Sequence, residues 1–385
     1  MTQQTRIEQT LADLVRIASV SSRSNREIVS YLAARASAAG LRVRLLPYED
    51  ERGVEKVNMI AVAPQSVAND ETIELALVGH TDTVPYDPHW AEALTLTERD
   101  GKLYGRGACD TKGFIAAALA AVESVALARL RRPLALVFTA DEEVGCLGAK
   151  RLADARALCA RYSIVGEPTS LRPMRAGKGY CLGEVTVYGR EGHSAYPAVG
   201  ASAIFRAARL IARIERVAED LKADARPGFD PPHTTLNVGL INGGTAKNII
   251  AGQCRFTLEW RPVPGQRTGH VLDLIQAEVE NLRAEDPDFS CEITATRLDG
   301  GMETPADSPL VRLLEEATGR EAGTIAFGTE APQMIELGAQ AVVLGPGDIR
   351  VAHRTGEFVP VAELHGCAAV LARAIERFCV DDQER

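Results

Sequence analysis

Ile73-Glu74-Leu75-Ala76-Leu77-Val78 runs directly into Gly79-His80-Thr81-Asp82-Thr83-Val84-Pro85. A short apolar run broken off by glycine, with polar residues crowded behind it, reads as a strand ending in a functional loop. Similar runs occur at Leu41–Leu46, Met59–Ala63, Leu134–Phe138 and Ser163–Val165. Helical patterns separate the later ones, Gly113–Leu130 before Leu134 and Ala149–Cys159 before Ser163. Strands that alternate with helices call for a mainly parallel sheet of the α/β class. Two helical stretches, around Ile7–Ala18 and Asn25–Gly40, open the chain, the second starting near Ser24 and stopping at Gly40 as caps should.

From Gly179 the rhythm changes. Strand Cys181–Tyr188, helix Ala201–Ala225, strands Thr235–Ile241 and Cys254–Trp260, helix Thr268–Glu285 and strand Cys291–Thr296 form one β-α-β-β-α-β series. That order is the ferredoxin-like split βαβ unit, a small α+β domain. After it, Leu310–Thr318, Thr324–Phe327, Ala341–Leu344 and Val361–Phe378 resume the α/β rhythm. The chain of 385 residues also exceeds the size, roughly 250–300 residues, at which one core stops growing. The expected division is a first domain built from 1–175 and 290–385, with 176–289 inserted into it.

Bulk properties exclude several classes of partner. Net charge is −9, with basic residues scattered among acidic ones, which argues against nucleic acid. The first ten residues are polar, with no apolar leader segment behind them, and no window approaches the roughly 18 apolar residues of a membrane span. Eight cysteines lie far apart without a CxxC pair, which fits reduced thiols in the cytoplasm, most of them acting as small core hydrophobes.

Several candidate ligand loops follow expected strands: Gly79–Thr83, Asp141-Glu142-Glu143 and Gly166-Glu167-Pro168. His353 follows Ala341–Leu344 and the turn Gly345-Pro346-Gly347. Sites in open α/β sheets form outside the carboxyl ends of the strands, so these groups can converge although remote in sequence. Asp110, in the glycine-rich stretch Gly105–Gly113, precedes a helix and is either an N-cap or a further ligand. Asp141-Glu142-Glu143 alone would read as an acidic helix start. Together, two imidazoles and three carboxylates suit a pair of Zn²⁺ ions, with Co²⁺ or Mn²⁺ acceptable by ligand hardness.

The stretches GHTDTVP (Gly79–Pro85), GRGACDTKG (Gly105–Gly113), ADEEVG (Ala140–Gly145), GEPTSL (Gly166–Leu171), GHSAYP (Gly192–Pro197) and LGPG…AH (Leu344–His353) resemble, in order, a family of two-zinc amidohydrolases. That family contains acetylornithine deacetylases, succinyl-diaminopimelate desuccinylases, aminoacylases and glutamate carboxypeptidases. The resemblance implies a two-zinc exopeptidase-like catalytic domain with a mainly parallel mixed sheet, and an inserted lid and dimerisation domain. It implies that His80, Asp110 and Glu167 hold one zinc and Asp110, Glu143 and His353 the other. Asp82 would orient His80 by accepting its second N–H. Glu142 would stay unligated as general base, taking a proton from the attacking water and giving it to the leaving amine. His193, on the inserted domain, would stabilise the oxyanion in a partner subunit of a homodimer; without the motif it would read as a polar loop residue.

Substrate contacts implied by the same resemblance are Asn248 and Arg261 at the substrate carboxylate, with Lys178 in support or simply solvated. Gly328-Thr329-Glu330-Ala331-Pro332 resembles the acetylornithine-cleaving branch, and makes Glu330 the candidate acid for a distant ammonium, or else a supporting or surface carboxylate. Cys109-Asp110-Thr111 departs from the alanine-aspartate-methionine of some relatives and leaves Asp110 intact. The implied substrate is an N-acyl amino acid, N2-acetyl-L-ornithine first, as a step of arginine biosynthesis. Other acylated amino acids or dipeptides are the alternative. Two further readings differ in kind: a metal-free binding protein on the same fold, which would not need both a ligand set and a spare base, and a nucleophile at Cys109 or Ser194, neither of which lies in a nucleophile elbow.

Overall fold

The computed structural model describes residues 5–64 and 71–380, so Met1–Gln4 of the polar N-terminal stretch lie outside the described residues. The chain forms two compact units, Met1–Arg175 with Thr304–Gly323 and Thr329–Arg385, and Ala176–Glu303 with Thr324–Gly328. Among the strands that lead up to the inserted unit are β1 (Arg42–Glu49), β2 (Glu55–Ala63), β3 (Ile73–His80), β4 (Leu134–Thr139) and β5 (Ala160–Val165). The long strands within it are β6 (Tyr180–Tyr188), β7 (Thr235–Gly243), β8 (Gln253–Arg261) and β9 (Ser290–Asp299). β10 (Gln340–Val343) returns to the first unit.

The main sheet runs β1-β2-β4-β3-β5-β10 and continues with the short antiparallel strand Met174–Gly177 beside β10. β4, β3, β5 and β10 are mutually parallel, whereas β1 and β2 form an antiparallel pair at the edge. β3 and β4 are buried at every residue, the uninterrupted burial expected of strands covered on both faces. Helix α3 (Lys112–Ser124) is buried almost all round and packs against Val361–Ile375. α1 (Arg6–Arg16) opens on a capping box, Thr5 and Glu8 each bonding the other's backbone N–H. α2 (Arg26–Ala38) starts after Asn25 rather than at Ser24. The Asn25 side chain does not cap; it accepts from Val57 N and donates to Val57 O and the Thr81 hydroxyl, tying α2 to β2 and to the loop after β3.

The inserted unit has the sheet order β7-β8-β6-β9, antiparallel throughout. Placing the first strand of the series between the third and fourth is the split arrangement expected of the pattern. Ala203–Asp220 and His270–Glu285 pack with Val185, Leu210, Ile214, Phe256, Trp260 and Ile275 into a separate core. The sequence-based limit at 289 is corrected to Glu303, because β9 pairs along β6 and cannot be cut from that ladder. Thr324–Gly328 likewise joins the inserted unit.

β5 ends in close contact with α3. A Cβ on Gly166 would stand 2.1 Å from the Phe114 ring, and that ring is fully buried and cannot swing aside. Glycine at this position therefore allows the next residue, Glu167, to sit beside the start of α3, where the Thr111 hydroxyl donates to Gly166 O at 2.9 Å. Gly166→Ala is expected to destabilise the fold by about 1–3 kcal/mol through overpacking. An unchanged urea midpoint would show that the strand end has slack.

Candidate active site

The parallel strands point their carboxyl ends to one edge, and the loops leaving them carry the candidate ligands. His80 closes β3. Its Nε2 lies 3.0 Å from Asp110 Oδ1, while its Nδ1 faces the Asp82 carbonyl oxygen at 3.0 Å and the Asp82 carboxylate at 3.6 Å. The imidazole thus faces both the backbone carbonyl and, at longer range, the carboxylate of Asp82. The carboxylate has further partners. It accepts from the Ser21 hydroxyl at 2.7 Å and from the backbone N–H groups of Glu142 at 3.1 Å and Glu143 at 3.3 Å.

Asp110 does not cap α3; Thr111 occupies that position and makes no capping bond. The Asp110 carboxylate instead faces two imidazoles, with Oδ2 3.0 Å from His353 Nε2, which is also 3.0 Å from Glu143 Oε2. Two donor groups result, His80 with Asp110 and Glu167, and Asp110 with Glu143 and His353, each with its donor atoms within 4.8 Å of one another. They share Asp110. Glu142 belongs to neither.

Crowded acids perturb one another here. Burial pushes Glu142 up to about 8, and Glu143, Glu330 and Asp110 add to it while His80 opposes. Burial also raises Glu167 well above the usual carboxylate range, with Asp110 and Glu142 adding. In Glu143 burial again raises the pKa, but His353 offsets part of the rise. Burial alone would lower His80, yet Asp110 and Asp82 hold it well above its ordinary value. Asp110 and Glu143 raise His353 to about 10. Glu330, at 1% exposure, is pushed by burial up to about 7. Neither of its oxygens accepts a hydrogen bond of normal geometry, a weak contact with Thr139 aside, and Glu143 Oε1 is buried without a partner. Imidazole nitrogens, carboxylate oxygens and orphaned acceptors in one cluster fit divalent cations of the zinc class.

The supports of this cluster left little trace in sequence. Asp141, at φ 58°, is held by the buried Lys56 ammonium at 2.6 Å and by the Tyr48 hydroxyl at 2.9 Å. Lys56 also donates to Ser21 O at 2.5 Å, so one cation steadies both the acid turn and the residue that holds Asp82. Its signal was a charge, next to Glu55, at the head of an apolar run. Arg106 and Glu357 form a second buried pair behind Asp110. The nucleophile reading of Cys109 fails on its surroundings, since burial and nearby Glu357 hold that thiol protonated. Ser194 lies exposed in the inserted unit.

The remaining candidates also lie in the inserted unit. His193 is exposed and paired in register with Ile249, and its Nδ1 accepts the Ala195 N–H at 3.1 Å. A neutral His193 therefore carries its proton on Nε2. Asn248, exposed, accepts from Ser194 N through its carbonyl at 3.1 Å. Lys178 is buried, donates to His233 O at 2.7 Å, and is lowered by burial and by the charge of Arg261. Arg261 is not free: it pairs with Glu259 at 2.6 Å, donates to Ala326 O at 2.5 Å and lies over the Tyr180 ring.

Residues 76–377 match the model of peptidase family M20/M25/M40. The chain belongs to this family. Among its relatives it is 54% identical to the acetylornithine deacetylase of Myxococcus xanthus over 371 residues, 96% of this chain and 97% of that one. It is 34% identical to the acetylornithine deacetylase of Proteus mirabilis, covering 94% and 92% of the two chains. The fold is shared with a crystallised M20 family metallo-carboxypeptidase from Sulfolobus solfataricus (TM-score 0.75, 18% identity, covering 97% and 99%). A tripeptidase from Staphylococcus aureus is similar too (TM-score 0.74, 24% identity, covering 97% and 98%). The chain is thus a hydrolase of a metal-dependent family, on an α/β fold with a mixed, mostly parallel sheet.

The perturbed groups dictate how protons move when a cation enters. With Glu142 raised to about 8 and His353 to about 10, both are protonated at neutral pH in the metal-free protein. A divalent cation needs neutral imidazoles and ionised carboxylates among its donors, so its binding expels the His353 proton and strengthens as pH rises. Calorimetry of Zn²⁺ binding in buffers of different ionisation enthalpy is expected to show net proton release at pH 7; net uptake or no exchange would contradict these protonation states.

Proposed function

We propose that the chain hydrolyses N2-acetyl-L-ornithine to L-ornithine and acetate with two zinc ions per chain, in arginine biosynthesis in the cytoplasm. The observation that carries this reading is the pair of donor groups joined at Asp110 with a third carboxylate, Glu142, beside both and part of neither. Relatives that bear the name acetylornithine deacetylase, matched over almost the whole chain, support the substrate. His80, Asp110 and Glu167 would hold one ion, and Asp110, Glu143 and His353 the other. Bound there, the ions would acidify the attacking water and polarise the acyl carbonyl. Glu142 takes the proton of that water and returns it to the departing amine. Asp82 keeps Glu142 and Glu143 in place through their backbone N–H groups.

The inserted unit supplies the remaining roles in this reading but one, that of Glu330 in the first unit. His193, with its proton on Nε2, donates to the oxyanion formed in a second copy of the chain. Asn248, Arg261 and Lys178 receive the substrate carboxylate, a role favoured by the two neighbouring cations. Glu330, with two orphaned oxygens, receives the ornithine ammonium. A homodimer is supported by the apolar side chains that the inserted unit leaves in solvent, among them Phe205 at 74%, Leu240 at 72% and Ile241 at 57% exposure. Leu240 and Ile241 lie on β7, an edge strand of the four-stranded sheet. Sedimentation of the native chain is expected to give a dimer, and an active monomer at every concentration would remove both the dimer and the role of His193 in trans.

Turnover of the zinc-loaded protein should be measured on acetylornithine, succinyl-diaminopimelate and acetylmethionine, with acetylornithine expected to lead. Glu142→Gln is expected to keep its metal and lose about 10²–10⁴-fold in kcat. Glu330→Gln should lower kcat/KM for acetylornithine more than for acetylmethionine, because charge-assisted bonds contribute about 1.5–3 kcal/mol. Equal losses on both substrates would mean that Glu330 does not read the side-chain charge, and a different leading substrate would overturn the ornithine assignment.

A further inference from the structure

We infer that Glu357 is a positioning residue for the metal pair, tying Asp110 to the loop that carries His353. This rests on the reading of Asp110 as the shared ligand. Glu357 is fully buried, and its Oε1 accepts two backbone N–H bonds, from Cys109 at 2.9 Å and from Asp110 itself at 3.0 Å. Its Oε2 receives the Arg106 guanidinium at 2.5 Å. The Glu357 carbonyl oxygen also accepts from Gly105 N at 3.1 Å, so both ends of the residue grip the loop before α3. His353 lies four residues earlier on the same segment. One carboxylate therefore joins two stretches of chain that are 247 residues apart at their closest bonded pair.

The surroundings leave this link little freedom. Arg106 is buried, donates to Pro85 O at 3.2 Å and lies over the Trp90 ring. On the other side of the loop, the Cys109 thiol contacts Asp348 O at 3.6 Å, and a Cβ on Gly347 would stand 2.4 Å from its sulfur. Charge-assisted bonds to consecutive N–H groups fix the Asp110 backbone while leaving its carboxylate free to face both imidazoles. Outer groups that orient ligands in this way commonly alter metal affinity by about 10–100-fold. The competing account is that Glu357 serves only to neutralise Arg106, a contribution to folding and not to the metals.

The two accounts separate by length and charge. Glu357→Gln keeps the length and the acceptor oxygen but discards the charge facing Arg106. Glu357→Asp keeps the charge but draws back by about 1.5 Å, one carbon–carbon bond. Each folded variant, and the native chain, would be titrated with Co²⁺ against a competing chelator while the cobalt visible spectrum and the metal-free melting temperature are recorded. Positioning requires that Glu357→Asp lose about 10–100-fold in Co²⁺ affinity with an altered spectrum, and that Glu357→Gln bind nearly as the native chain does while melting lower. The reverse order of affinities, or native affinity and spectrum in both, overturns the inference. Should a single variant fail to fold, Arg106→Met/Glu357→Gln and Arg106→Met/Glu357→Leu replace the comparison, since neither strands a buried charge and only the first keeps the acceptor. Equal affinities in that pair overturn the inference alone, whereas a native chain that binds no cobalt overturns the proposed function with it.

Discussion

Carboxylates gathered out of water repel one another, and this structure gathers Asp82, Asp110, Glu167 and Glu330 in buried positions with Glu142 and Glu143 half-buried beside them. Such a cluster persists only if something offsets the charge. The sheet provides the means of assembly, since parallel strands with largely apolar bodies carry the clustered acids on the loops at their carboxyl ends. The chain also uses cations of its own, but at one remove. Lys56 faces Asp141 and Arg106 faces Glu357, so these two buried cations serve carboxylates behind the donor cluster. Protons shared with His80 and His353 offset the cluster itself until metal replaces them.

The same logic bears on two places where the backbone departs from ordinary conformations. Asp141 and His353 both have positive φ, at 58° and 59°, an uncommon state for residues other than glycine. Each conformation is held from outside. Asp141 is fixed by Lys56 and Tyr48, and the loop before His353 by the Glu363 carboxylate, which accepts from Gly347 N at 2.7 Å. Residues in such states persist where their surroundings determine them, which here means the rim of the acid cluster.

Much of this arrangement was legible in the sequence because it depends on local signals. Apolar runs ended by Gly79 and Gly166 mark strands and the loops that follow them, and histidines with acids in those loops mark ligands. The helix limits shifted by a few residues, as at Asn25, whose side chain is recruited by β2 instead of capping α2. The boundary at 289 failed because sequence shows that a strand exists but not which ladder it completes. The contact of Arg261 with the Ala326 carbonyl left no signal in the sequence, because the two lie 65 residues apart. Ser21, Lys56 and Glu357 were invisible as supports for a related reason. They act through backbone groups and side chains of remote segments, and such contacts impose no periodicity on the chain.

Adjacent residues with opposite duties are the hardest feature to read from a string of letters, and the structure separates Glu142 from Glu143 on physical grounds. Asp82 holds both backbone N–H groups, so the two side chains leave one fixed turn. Glu143 meets His353 at 3.0 Å, and that imidazole counteracts the effect of burial on its charge. Glu142 has only the Cys146 thiol at 3.3 Å, a weak donor, and the neighbouring acids push it further up. The His353 imidazole opposes the rise in Glu143, whereas Glu142, left among other acids, is raised to about 8. Environments that differ in this way between neighbouring carboxyl groups support the proposed division into ligand and base. When cations occupy the cluster they lower both pKa values, but only Glu142 lies outside the donor groups and so keeps its oxygens available for proton transfer.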